Sequence, residues 1–173
     1  MTDMTPAPAP WRIDLKVAAI WALLAGLSAA AVIPYMAQMM PERFARIPVS
    51  LPVLAIAQGL QATVVIGLMA LLGLRMGHRV GLGSPLLAGW MGGPRANAAA
   101  LRPAHSLAIG VLAALAVIVL SLLIDPLMPT PIHPPLEAGA GQSALHGLLA
   151  SFYGGIAEEL QLRLFLMTLL LWI

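Results

Sequence analysis

Apolar positions in this chain come in long blocks, not in alternating or narrow striped patterns. The first block runs from Val17 to about Met40, behind a flank that holds Arg12 and Lys16. It carries Trp21 and Tyr35 as expected interface anchors and Pro34 as a place to kink. The polar link PERFARIP (41–48) follows, and then a second block from about Val49 to Leu74. Gln58, Gln61 and Thr63 interrupt that block, and the two glutamines are expected to bond to neighbouring helices. A third block runs from about His105 to Leu123, and a fourth starts near Ser143 and is still apolar at Ile173. Each block is close to or longer than the ~20 residues that cross a bilayer as a helix. A helix satisfies its own backbone groups in lipid, so the blocks predict helices. The expected fold class is all-α: a polytopic transmembrane helical bundle with about four spans.

The segments between the blocks complete the organisation. Residues 1–13 are expected to be a disordered Pro/Ala-rich tail, and 14–173 the transmembrane domain. Residues 75–104 form the longest polar connection and hold Arg75, Arg79, Arg95 and Arg102. Its apolar middle, SPLLAGWM, has eight residues, too few to span, and reads as interfacial or re-entrant. Residues 125–142 are rich in Pro and Gly and contain no basic residue. The apolar run continues past the small residues Ser28–Ala31, which argues against signal cleavage there.

Composition turns this pattern into a class. Hydrophobic residues make up 60% of the chain and charged residues 9%; soluble domains hold about a quarter charged. This is the composition of a membrane protein whose first partner is the lipid bilayer. A net charge of +2 without long basic runs excludes a nucleic-acid partner. With no cysteine, disulfides and thiolate metal sites are excluded. Eight Arg against one Lys, with abundant Ala, Gly and Pro, fits a bacterial gene of high GC content, and so a bacterial inner (cell) membrane. Counting connections alternately, the N-terminal flank and 75–104 carry six Lys/Arg, and the other two connections carry two. The positive-inside rule then places the N-terminus in the cytoplasm. The fourth block reaches Ile173 with no charged anchor behind it, so the 173 residues are expected to be the N-terminal part of a larger bundle.

The fourth block contains GGIAEELQLRLFLM, with Glu158, Glu159 and Arg163 inside an otherwise apolar run. Three charges at mid-span cost roughly 8–10 kcal/mol on insertion scales. The ten Leu, Ile and Phe residues between Ile156 and Ile173 return about 5 kcal/mol. The charges must therefore pair, face a wet cavity or be protonated. Glu159 and Arg163 are four apart, with the acid N-terminal, so an ion pair on one helical face is expected. Glu158 is left about 100° around the helix without a local cation, in a setting suited to a general base or acid. Gly154 and Gly155 each stand four residues before a carboxylate and clear the surface N-terminal to them. A helix or an extended peptide can approach closely there.

EELQLR fits Glu-Glu-x-x-x-Arg, and in a fourth span it resembles the first motif of the CPBP family of intramembrane proteases. That family is typified by the CAAX prenyl endopeptidases and the bacterial bacteriocin-processing (Abi-type) proteins. RVGLGSPLL resembles bacterial members more loosely. The resemblance implies a membrane endopeptidase acting on a peptide or protein substrate. It assigns Glu158 to water activation, Glu159 to its partner and Arg163 to fixing the pair. The family also uses Phe-x-x-x-His and His-x-x-x-Asn or Asp motifs on later helices, which either hold a divalent metal such as zinc or build an oxyanion site. Neither motif follows Arg163, and Leu162 and Leu164 stand where the family usually has Phe and Gly. No metal ligands of that kind are present in these residues, which are expected to be inactive by themselves.

The remaining histidines read as ordinary: His78 and His105 at the interface, His133 solvated, and His146 too far along the motif helix from Glu158 to share a site. Asp125 and Glu137 read as loop and cap residues. Two other functions fit the same sequence. One is a proton- or cation-coupled transporter using Glu158, Glu159 and the polar trio Gln58, Gln61 and Thr63. The other is a non-catalytic membrane binding protein that keeps the motif for structure.

Overall fold

The computed structural model describes residues 11–93, 102–128 and 140–173. All regular structure among them is helical: α1 (Trp11–Met39), α2 (Pro41–Ala45), α3 (Leu51–Val80), α4 (Pro85–Trp90), α5 (Pro103–Ile124) with a short 3-10 turn, α6 (Ala140–Tyr153), two π-helical segments (Gly154–Glu158 and Leu160–Met167) and α7 (Thr168–Trp172). From 140 to 172 these run on as one helix. Three helices are long and apolar enough to cross a membrane: Trp11–Met39, Leu51–Val80 and Ala104–Ile124, with mean hydropathies of 2.1, 1.9 and 3.0. The described residues with regular structure are all helical and include three helices suited to span a membrane.

Boundaries differ from the sequence expectation at polar ends. α1 starts at Trp11, inside the expected tail, and Ile13 is buried. Arg75 and Arg79 belong to α3 and not to the connection after it. Long basic side chains at a helix end reach polar surroundings without ending the helix, so polarity there marked the membrane boundary and not the helix boundary. Gly81 stops α3: its φ of 73° is left-handed, and its N–H donates to the Gly77 carbonyl. Within SPLLAGWM, Pro85–Trp90 form the short helix α4, and Leu87, Ala88 and Met91 pack against the main core. Arg95, His133 and Glu137 lie outside the described residues, as does the side chain of Asp125.

The chain divides into two compact units, residues 96–137 and the remainder. The smaller contains α5, which is apolar apart from His105, Ser106 and Ser121. The larger contains α1 to α4 and the motif helix 140–172.

In the larger unit, most of the buried positions on α1 and α3 are small residues. Along α1 they are Ala18, Ala22, Ala25, Gly26, Ser28 and Ala29, beside Ile13, Asp14 and Val17; along α3 they are Gly59, Ala70, Gly73 and Gly77, beside Ile66 and Leu74. Large apolar residues face outward, among them Val53, Ile56, Leu60, Val64, Leu68 and Leu72 on α3. A water-soluble helix pair would place them the other way round. Small residues inside and branched residues outside is the membrane arrangement, where close van der Waals packing, not water exclusion, joins helices. α1 and α3 approach closely at Gly26 and Gly59. A Cβ on Gly26 would strike the Thr63 hydroxyl, and one on Gly59 would lie 3.0 Å from the Gly26 carbonyl oxygen.

Polar contacts fix which ends of these helices lie together. Asp14, near the start of α1, is buried and accepts from Arg75 Nη1 at 3.0 Å. His78 Nε2 lies 2.9 Å from the same carboxylate. The Arg75 guanidinium also lies 5.6 Å from the Trp11 ring centroid. Arg79 sits 5.8 Å over the ring of Trp172, at the far end of the motif helix. Tyr35, late in α1, stacks on His146 near the start of that helix, with centroids 5.2 Å apart. Thus α1 runs antiparallel to both α3 and the motif helix. His78 is therefore a partner of a buried carboxylate and not the ordinary interface residue its position suggested. Trp21, expected at an interface, instead donates to Ser84 Oγ at 3.2 Å, tying α1 to the turn after α3.

Candidate functional site

The motif helix changes its hydrogen-bond register where the charges sit. π-helical bonding, i→i+5, occupies Gly154–Glu158 and Leu160–Met167. Such turns are rare and frequently mark functional positions. Backbone carbonyls that lose their usual partners need others in an apolar setting. Thr168 provides one: its hydroxyl donates to the Leu164 carbonyl and, at 2.8 Å, to that of Phe165. The Leu164 carbonyl also lies against Gly73, where α3 has no side chain to obstruct it.

The two carboxylates have different surroundings. Glu159 Oε2 lies 3.3 Å from Arg163 Nη1, forming the ion pair that the i,i+4 spacing predicts. Both side chains are open, at 52% and 74% exposure. They border a cavity of about 290 Å³ whose other wall includes Trp21 and the Leu82–Ser84 turn. Glu158 lines a different and larger cavity, about 560 Å³, between α1, α3 and the motif helix. Gln58 and Gln61 of α3 line the same cavity, with Gln161, Tyr35 and Tyr153.

The glycine pair also divides between two tasks. A Cβ on Gly154 would lie 3.4 Å from Glu158 Oε2, so this glycine leaves room for the carboxylate itself. A Cβ on Gly155 would meet nothing within 4 Å, and Gly155 opens into the smaller cavity. Open space therefore lies beside Gly155, while Gly154 faces the carboxylate of its own helix.

Several expectations need revision here. No side-chain hydrogen bond among the described residues joins Gln58 or Gln61 to a neighbouring helix; both line the cavity instead. Thr63 is not with them. Its hydroxyl donates to the Gly59 carbonyl of its own helix at 2.8 Å. His146 is buried, with Nδ1 lacking a protein partner among the described residues, and it touches Tyr35, a residue of the Glu158 cavity wall. Gln161 and Tyr35 were missed as companions of Glu158. The i,i+3 spacing of Glu158 and Gln161 was the available signal for the first; nothing local pointed to the second.

The described residues do not assemble a metal centre. Among the described residues, no three His, Asp or Glu side chains form a ligand group. Glu158 and Glu159 border separate cavities and no histidine joins either, so the donor set of a zinc site is incomplete here.

Compared with family models, with curated proteins and with solved structures, the chain has no match.

Proposed function

We propose that this is a multi-pass protein of the bacterial inner membrane and that residues 158–163 are one element of an intramembrane peptidase site of CPBP type. Glu158 is the group that takes a proton from water. Glu159 and Arg163 hold each other and keep the turn in place. The observation that carries this reading is the separation of the two adjacent carboxylates. One is neutralised by Arg163, and the other is free of a cation beside a cavity of about 560 Å³, a volume typical of ligand pockets. A general base needs access to water and substrate together, and Glu158 has the opening for both. Acyl chemistry also needs oxyanion donors; on this reading they belong to the family's later His motifs, which do not follow Arg163.

Four spans are part of the same proposal. α3 ends beside Asp14, and the motif helix starts beside Tyr35, at the opposite end of α1. On this proposal the chain between them crosses once more. α5, with 22 residues, is about 33 Å long, enough for a ~30 Å hydrocarbon core. The end that gathers Arg12, Lys16, Arg75 and Arg79 is the cytoplasmic one.

The test is cleavage of membrane-anchored reporter peptides by cells expressing the gene product. Cleavage is expected and should vanish in Glu158→Gln at unchanged protein level. Cleavage that survives this substitution removes Glu158 from the role. One observation favours a second reading, proton or cation transport: Gln58, Gln61 and Glu158 share one cavity. That reading expects a pH-driven flux in liposomes, lost in Glu158→Gln, with no peptide cleaved.

A further inference from the structure

The cavity beside Glu158 has a polar pattern that its apolar walls make conspicuous. Gln58 and Gln61 are three residues apart on α3 and so share a face. Glu158 and Gln161 are three apart on the motif helix. Both pairs line the same cavity, which Ala, Val, Ile and Met side chains otherwise dominate. These are also the two glutamines of the second span. None of the side-chain hydrogen bonds seen among the described residues engages the three amides; Gln58 and Gln61 are exposed and Gln161 half-buried at the cavity wall.

We infer that this cavity binds an apolar peptide segment in extended form, with Gln58, Gln61 and Gln161 hydrogen-bonding its main chain next to Glu158. A peptide drawn out of helical form inside a bilayer has no water for its N–H and C=O groups, so protein groups must satisfy them. A carboxamide side chain carries two N–H donors and a carbonyl acceptor, the same groups a peptide bond presents. No strand edge among the described residues offers that pairing. The apolar walls then accept the side chains of the bound segment. A charged ligand would find one carboxylate and no cation in the wall, which disfavours anions. This inference rests on the peptidase reading for its location and gives that site a substrate class: short, uncharged, apolar sequences with a free main chain.

The experiment compares two probes on the whole chain in lipid nanodiscs. One is a capped tetrapeptide, Leu-Ala-Ala-Leu, with a photoreactive leucine; the other replaces its central amide by an ester and so loses one N–H. Saturable cross-linking to Val65, Ile66 or Tyr153 is expected with the amide probe. On the unaltered chain, half-saturation should be several-fold weaker for the ester. In Gln58→Leu/Gln61→Leu it should rise roughly tenfold for the amide, and the two probes should become equal. The ester arm needs no substitution, so it stands even if the double variant is poorly folded. Equal binding of amide and ester to the unaltered chain, or no saturable cross-link in the cavity, overturns the inference. A proton flux that needs Gln58 and Gln61 while neither probe competes with it also overturns it. The peptidase reading fails separately: amide-selective binding that depends on the glutamines, with no Glu158-dependent cleavage of the reporter peptides by cells expressing the full-length gene product, sinks hydrolysis and leaves the peptide site standing.

Discussion

Arg75 Nη1 and Asp14 Oδ2 meet at 3.0 Å, joining α1 to α3 across 61 residues of sequence, and the two partners are buried very unequally. The Asp14 side chain is 4% exposed and that of Arg75 44%. Removing the base leaves a carboxylate in the core with His78 alone beside it. Removing the acid leaves a long basic side chain that reaches the surface at the helix end. Arg75→Leu should therefore cost about 3 kcal/mol and Asp14→Leu about 1 kcal/mol. Thermal melts in a mild detergent measure both, and equal costs would count against the asymmetry.

Glycine tolerance should depend on what each position faces. A Cβ on Gly73 would collide with the Leu164 carbonyl and lie 2.8 Å from its carbon, where α3 supports the motif helix. Gly73→Ala should destabilise by about 2 kcal/mol through overpacking, despite alanine's better helix propensity. Gly155→Ala meets open space and should be neutral or stabilising by up to about 1 kcal/mol. Melting curves for the two variants should move in opposite directions or differ by several degrees.

His146 supplies a ring to Tyr35 and carries a buried nitrogen without a protein partner among the described residues. His146→Phe keeps the ring contact and removes that nitrogen, and should stabilise by about 1 kcal/mol. His146→Ala opens a void and should cost about 2 kcal/mol or more. A Phe variant that melts earlier than the parent would mean that the nitrogen is bonded.

The Glu159–Arg163 pair should make a small contribution where water reaches it. Both heads are more than half exposed. A double-mutant cycle with Glu159→Gln and Arg163→Leu in detergent should give a coupling below about 1 kcal/mol. The same cycle in a thick-tailed lipid should give more, because screening falls.

The features legible in the sequence were those with a local rule. Block length located α1, α3 and α5, and i,i+4 spacing gave the Glu159–Arg163 pair. The partners of Asp14 and Glu158 were not legible. Arg75 meets Asp14, and Gln61 shares a cavity with Glu158, because of the rotational setting of helices far apart in sequence. Long apolar blocks leave that setting undefined, since nearly every face is apolar. The small-residue seam was visible as Gly26, Gly59, Gly67 and Gly73, yet attention to Gly154 and Gly155 drew the prediction of close approach elsewhere. The π-helical stretch has no compositional signature in GGIAEELQLRLFLM. It is set by where backbone bonds fall, and α spacing was the natural assumption.

That stretch has a consequence for how the charged groups can be aimed. Each π turn accommodates one residue more than an α turn, and one residue corresponds to about 100° of rotation. Were Gly154–Glu158 to revert to i→i+4 bonding, everything beyond it would swing by about that angle around the helix axis. Glu158 would move relative to Gln58 and Gln61, and Arg163 relative to the turn at Ser84, with no side chain altered. Phase along this helix is thus a variable separate from sequence. Deleting one residue between Gly154 and Glu158 is the direct way to shift it while leaving all three charges in the chain.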